Sequence, residues 1–322
     1  MVAMARHGGG SFALGLRRGE AKSVAEALRV IADAKADKLM RLQYTEILGE
    51  APNAKAISVL LGIVKSEPGT DLKRAALGAL KPYNDARISA GVLALYGELP
   101  DSLRKVAGTL LAGRESWALE FLRAVDGGEL AAGLVSAEVV SLLRSHGEGR
   151  VGQLLDKHFA GAATDEAKLE QEIQRLAKVV TAKPGSPYEG KKLYAASCGA
   201  CHRLFEQGGQ IGPDLTAYQR DDLDTVLLNI INPSAEIREG YENFLLTTND
   251  GRLAGGFLVE QDARSVVLRG LDGQDVTFER ESIRGLKAQG VSLMPPGLLA
   301  GYSDGQIRDL MAYLRSSQPL NN

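Results

Sequence analysis

Cys198-Gly199-Ala200-Cys201-His202 is the stretch on which the reading of this chain turns. Its two thiols and imidazole stand at i, i+3 and i+4, positions that share one face of a helical turn. C-x-x-C-H is the attachment signature of c-type haem. In this register the two thiols reach the two vinyl groups on one porphyrin edge, and the imidazole of His202 faces the iron. Gly199 and Ala200 are small enough to let the backbone lie close to the ring. The expectation is one covalent haem c on Cys198, Cys201 and His202, with His202 as a metal ligand. Three alternatives compete. A redox dithiol follows a strand at a helix start, whereas Tyr188–Ser197 reads as a helix before the motif. A structural zinc site wants four ligands, commonly from a second Cys/His pair, and the sequence has no second pair. Coincidence is the third.

The rest of the composition is compatible with this reading. The chain has 322 residues, a length that suggests about two domains. Apolar residues make up 44% and charged residues 24%, as in soluble globular proteins. The net charge of −2 gives no field to recruit nucleic acid or an acidic membrane surface, so no nucleic-acid partner is expected. No apolar run approaches the ~18 residues of a membrane span. With two cysteines three positions apart, a disulfide framework is excluded. The N-terminal segment has glycines at 8–10 and no apolar stretch of the kind a secretory leader needs. Covalent haem attachment takes place outside the cytoplasm, so the expectation is a mature product or excised piece working in the periplasm or a similar compartment.

Outward from the motif, the chain divides into three zones. Residues 1–22 are expected to be a loose tail. Residues 23–181 read as helix after helix, with apolar residues at helical spacing in Ile57, Leu60, Leu61 and Val64 and again in Val139, Val140, Leu142 and Leu143. Asp71, Arg74, Gly78 and Leu80 recur as Asp101, Arg104, Gly108 and Leu110 at an offset of thirty. Asp71 and Asp101 are expected N-caps. A period near thirty suggests stacked helical hairpins, and the segment resembles shortened HEAT-type repeats; an irregular bundle is the alternative. His146 and His158 lie here without partners at ligand spacing and read as ordinary structural or surface histidines. Lys183-Pro184-Gly185-Ser186-Pro187 marks the expected boundary.

Residues 184–322 form the third zone. Helices are expected at Tyr188–Ser197, Asp221–Ile231 and Ser303–Arg315, with Ser303 as N-cap. Between them, residues 240–290 carry the short β-prone runs Phe244–Thr248, Leu258–Val259, Ser265–Leu268 and Val276–Phe278, separated by turns at Asn249-Asp250-Gly251, Gln261-Asp262-Ala263 and Leu271-Asp272-Gly273. About five strands are expected, enough for a small barrel or curled sheet. The fold class is therefore mainly α: a helical repeat array, then an all-α domain interrupted by a β insert.

This third zone resembles a class I cytochrome c. Gly190-Lys191-Lys192-Leu193-Tyr194 is similar to the first helix of that family, Ile211-Gly212-Pro213-Asp214-Leu215 to the loop after the motif, and Ser292-Leu293-Met294-Pro295 to the distal-ligand loop. The resemblance implies that the Pro213 carbonyl accepts the free N–H of His202, that the Met294 thioether is the second axial ligand, and that Leu310 and Tyr313 lie on a last helix crossing the first. Met294 is also favoured among the five methionines, because Met1 and Met4 lie in the tail, Met40 among the repeats and Met311 on an apolar helix face. Arg203 and Arg220 are candidates for haem propionates, with exposed surface charge the more ordinary role. The β insert departs from a plain cytochrome c. With Asn232–Ile237 and Asp250-Gly251-Arg252, it resembles the haem-binding C-terminal region of large dehydrogenase-like proteins of Planctomycetes and Verrucomicrobia.

The expected function is electron transfer rather than catalysis by the chain itself. A six-coordinate His202/Met294 haem would take electrons from a dehydrogenase domain or partner and pass them to a respiratory acceptor. The alternatives are a haem enzyme or gas sensor with a labile distal ligand, and a repeat-based interaction scaffold with an accessory haem.

Overall fold

From Gly9 to Phe159 the chain is a succession of helices separated by short turns. They are α1 (Gly9–Arg17), α2 (Ala21–Ala32), α3 (Lys38–Glu50), α4 (Ala56–Ser66), α5 (Thr70–Leu80), α6 (Ala86–Tyr96), α7 (Asp101–Ala112), α8 (Glu115–Asp126), α9 (Ala137–Arg144) and α10 (Arg150–Phe159). The computed structural model describes residues 9–159, 166–270 and 273–320. Two units divide the chain, residues 1–159 and 160–322.

In the first unit each helix packs on its next-but-one neighbour. Helices α1, α3, α5, α7 and α9 form one layer, and α2, α4, α6, α8 and α10 the other. Side-chain pairs repeat with the layer. Arg17–Glu50, Lys38–Asp71 and Lys105–Glu138 each join residues 33 apart. The thirty-residue sequence repeat falls on α5 and α7, which are neighbours within one layer. Asp71 and Asp101 are not the caps that were expected. Gly69 and Pro100 hold the cap positions, and the two aspartates lie in the first turn, where they oppose the helix dipole. The expected tail also needs correction. Phe12, Ala13 and Leu16 recur at helical spacing, and α1 uses them to pack on α2 and α3. Leu16 is only 1% exposed. Residues 1–8 lie outside the described part.

The second unit contains α11 (Glu166–Ala182), α12 (Pro187–Ser197), α13 (Leu223–Ile231) and α14 (Asp304–Leu314), with a short hairpin β1 (Arg203–Leu204) and β2 (Gln207–Gly208). Helix α11 packs on α13 and α14 through Leu176, and Arg175 pairs with Asp304. The unit division therefore falls one helix before the expected boundary at Lys183–Pro187. The 3.6-residue period of α11 is indistinguishable from that of the repeat helices, and only its packing assigns it.

Helices α12 and α14 cross closely at Gly190. A Cβ on Gly190 would run into the Asp309 carbonyl and lie 2.8 Å from the Tyr313 Cβ, and one on Gly185 would run into the Arg308 carbonyl. Only glycine admits so close an approach of two main chains. Around the crossing, Tyr194, Leu310, Met311, Tyr313 and Leu314 are buried, with the Tyr194 and Tyr313 rings edge to face at 5.3 Å. Met311 is thus a core residue.

Between α13 and α14 stands a sheet of β3 (Asn243–Thr248), β4 (Leu253–Gln261), β5 (Ser265–Arg269), β6 (Asp275–Glu279) and β7 (Ile283–Ala288). Its order is β6-β5-β4-β3-β7, all antiparallel. Leu246, Val266, Leu268 and Phe278 form its own core. Strands β6 and β7 are the two edges, yet only the 3-10 turn at Arg280–Ser282 joins them, so the sheet curls far enough to bring its edges within that reach; among the described residues no β6–β7 pairing closes it, which makes it the curled sheet of the two expected forms. The expected turn at Leu271-Asp272-Gly273 falls largely outside the described residues.

The crossing yields a direct test. Gly190→Ala should cost about 3 kcal/mol, the range for an overpacked core. Urea unfolding followed by tyrosine near-ultraviolet circular dichroism should report the loss. The fluorescence transition of Trp117, the single tryptophan and a residue of α8 in the first unit, should stay in place.

Candidate functional site

The site is assembled by one helix end and the reversal that follows it. Ser186 caps α12 through its side chain, and Pro187 sits at the first helical position. At the other end, the N–H groups of Cys198 and Gly199 both donate to the Tyr194 carbonyl, at 2.8 and 2.7 Å. The next turn closes on the Cys198 carbonyl, which accepts from Cys201 N at 3.1 Å and His202 N at 2.9 Å. The turn expected from the spacing is therefore formed, with Cys198, Cys201 and His202 on successive steps of it.

The chain then doubles back through β1 and β2. Phe205 and Glu206 at the tip have φ of 50° and 66°, a left-handed conformation that costs a non-glycine residue roughly 1 kcal/mol or more. Glycines let the return strand lie against the motif. A Cβ on Gly208 would meet the His202 carbonyl, and one on Gly209 the Ala200 carbonyl. Gly212 donates its N–H to the Cys201 carbonyl at 2.8 Å, and a Cβ there would stand 2.8 Å from His202 Cε1. The imidazole thus rests flat on a residue with no side chain.

Next to that glycine, the Pro213 carbonyl accepts a hydrogen bond from His202 Nδ1 at 2.9 Å. A carbonyl can only accept, so Nδ1 carries the proton and Nε2 keeps its lone pair. Burial holds the His202 pKa below the usual imidazole value, and the Pro213 bond opposes that shift only in part. A neutral ring with a free Nε2 is the form that binds a metal. Cys198 packs against the core of the second unit. Burial, and next the neighbouring Cys201, push its thiol up to about 12. Neither cysteine is in a disulfide. Two reduced thiols and one oriented neutral imidazole on a single turn fit the donor set of a covalently bound haem.

Met294 lies in the loop between β7 and α14 and is half-buried. Its N–H donates to Ser292 Oγ at 3.1 Å, and Ser292 N–H donates to Ser234 Oγ at 3.0 Å. The loop is thereby tied to the segment that leaves α13, across the base of the sheet. Arg203 carries only long ion pairs, with Asp214 at 3.7 Å and Glu206 at 3.9 Å. Arg220 is not the exposed surface charge expected. It donates to the Leu314 carbonyl at 2.6 Å and the Ser316 carbonyl at 2.8 Å, at the C-terminal end of α14, and stacks 5.0 Å from the Phe205 ring centroid.

Residues 188–268 match the family model of cytochrome c. This segment is a cytochrome c domain. The match takes in α12, the Cys198–His202 turn, Pro213, α13 and the sheet into β5; it ends before Met294 and α14. A cytochrome c domain implies haem binding and supports a role in electron transfer. No curated protein is similar enough to the chain to count as a relative. Among the described residues, no helix is long and apolar enough to cross a membrane, and no group of three or more His, Cys, Asp or Glu side chains is placed to hold a metal ion.

Sequence reasoning missed two members of this site. The Tyr194 hydroxyl donates to the His202 carbonyl at 2.7 Å, whereas the sequence placed Tyr194 only on a first helix. The bracing role of Arg220 joins residues 94 and 96 positions apart, a distance no local pattern reports.

The buried imidazole makes a pH prediction for the chain prepared without haem. The folded-state pKa of His202 is lowered, so between the ordinary value near 6.5 and the lowered one the unfolded state binds a proton that the folded state refuses. Stability should therefore fall as pH drops below about 6.5, by at most ~1.4 kcal/mol per pH unit from this group. His202→Gln should flatten that slope in urea unfolding series from pH 7.5 to 5.

Proposed function

We propose that the chain is a c-type cytochrome module that relays single electrons through one covalent haem. Cys198 and Cys201 are the thioether anchors, His202 and Met294 the axial ligands, and Pro213 the residue that orients His202. The observation that carries this reading is the 2.9 Å bond from His202 Nδ1 to the Pro213 carbonyl at the end of a C-x-x-C-H turn. It leaves Nε2 as the free donor and fixes the tautomer, the part that the outer partner of a metal-bound histidine plays.

When bound, the haem supplies a one-electron iron couple. The chain's own residues do the rest. Cys198 and Cys201 would hold the haem through their two sulfurs. The Pro213 carbonyl makes the imidazole a stronger base and stops it from rotating. Met294 would be the second residue to hold the iron, and its thioether paired with an imidazole would raise the potential and favour electron transfer over oxygen or peroxide chemistry. The Ser234–Ser292–Met294 chain of hydrogen bonds supports this assignment, because it holds a methionine in a fixed loop. We place the module outside the cytoplasm, between a dehydrogenase donor and a respiratory acceptor. The HEAT-like first unit and the sheet of the second unit are surfaces available to those partners.

A pyridine haemochrome assay on protein made with a haem-attachment system tests the core of the proposal. One thioether-linked haem per chain is expected, with a low-spin reduced spectrum that carbon monoxide leaves unchanged. Met294→Ala should convert it to a high-spin form that binds carbon monoxide. A wild-type haem that is already high-spin and binds carbon monoxide readily would point instead to a sensor or enzyme with an open iron.

A further inference from the structure

His202 is held at two points, and the cytochrome reading uses only one of them. The ring is fixed by Pro213 at Nδ1. The main chain of the same residue is fixed separately, where its carbonyl accepts the Tyr194 hydroxyl at 2.7 Å. Tyr194 belongs to α12, eight residues earlier, and is 3% exposed. Its ring cannot swing away, because it lies edge-on to Tyr313 at the α12–α14 crossing. Nor can the His202 carbonyl turn elsewhere without displacing Gly208, which packs directly against it. The hydroxyl thus couples the helix crossing at Gly190 to the peptide that bears the imidazole.

We infer that Tyr194 is a positioning residue for His202, which sets how firmly the imidazole is held against the Pro213 carbonyl and so tunes the potential of the bound iron. The inference rests on the proposed haem ligation by His202. Its logic is geometric. If the His202 peptide is released, the ring can shift, and the Nδ1–Pro213 bond lengthens. A weaker bond makes the imidazole a poorer base. Weakening the base would cost the oxidised iron more stabilisation than the reduced iron, so the potential would rise. A tyrosine hydroxyl is the only part of the side chain needed for this, and Tyr194→Phe removes it while keeping the ring that packs at the crossing.

Three versions of the full chain are compared: wild type, Tyr194→Phe, and Tyr313→Phe as a control that removes a hydroxyl from the other ring of the same pair. Two quantities are read on each. One is the midpoint potential of the haem-loaded protein. The other is the solvent-exchange rate of the His202 Nδ1 proton, by NMR on histidine-labelled protein, which is measurable with or without haem. Tyr194→Phe should speed the exchange about tenfold and raise the potential by up to the equivalent of a tenfold change in the redox equilibrium, about 59 mV for one electron. Tyr313→Phe should move neither. The inference is overturned if Tyr194→Phe leaves both unchanged, if exchange quickens while the potential stays fixed, or if both variants shift together as general loosening of the core would make them. Faster exchange only in Tyr194→Phe, in a chain that takes up no thioether haem, keeps the clamp on His202 and overturns the electron-transfer reading instead.

Discussion

The close passage of α12 over α14 at Gly190 is the constraint on which the second unit depends. It brings two main chains from opposite ends of the domain together where no side chain fits between them. Because the crossing fixes α12, it also fixes where that helix ends, and the Cys198–His202 turn is its end. Tyr194 carries the constraint from the crossing to the His202 carbonyl. Arg220 carries it from the far end of α14 back to Phe205, three residues beyond His202. Glycines at 208, 209 and 212 then let the return chain press on the turn from below. The imidazole is oriented by Pro213, but Pro213 is where it is only because these approaches are all close.

The sheet sits inside this arrangement without disturbing it. Strands β3 to β7 keep a small apolar core of their own, so the insert asks little of the helices around it. Its two ends are pinned together, by Gln289 N–H on the Asn243 carbonyl at 2.9 Å and by Ser292 on Ser234. The chain therefore leaves α13 and re-enters the helical domain at nearly the same place, and the Met294 loop starts from a closed base. A sheet of this kind can be lengthened or reshaped at its turns while the loop that follows stays where it is.

Much of the site was legible because it is local. The motif, the glycine and proline of Ile211–Leu215, the cap at Ser303, and four of the five strands of the insert lie in short windows with strong residue preferences. Strand β7 was not named in advance because Ile283–Ala288 mixes charged residues and a glycine, with little alternation to read. Helix α1 was taken for tail because it opens on glycines. Helix α11 carries a period that suits either unit. Arg220 and Tyr194 were read by residue type, and what decided their roles was a carbonyl placed by tertiary packing. The repeat was visible as a thirty-residue offset, but its aspartates proved to be first-turn charges rather than caps, a difference of one or two positions that sequence spacing does not resolve.

The two units also differ in how far along the chain their contacts reach, and this bears on the order in which they form. In the first unit, helices meet partners about thirty residues away, so each hairpin can add to the stack as soon as it leaves the ribosome. In the second, the main partner of α12 is α14, which is made some 120 residues later. Loops of that size close slowly. During synthesis, the cysteines and the histidine emerge on an unsecured helix end and remain accessible until the last helix arrives. The glycine that permits this close contact in the finished domain thus belongs to the step that is completed last.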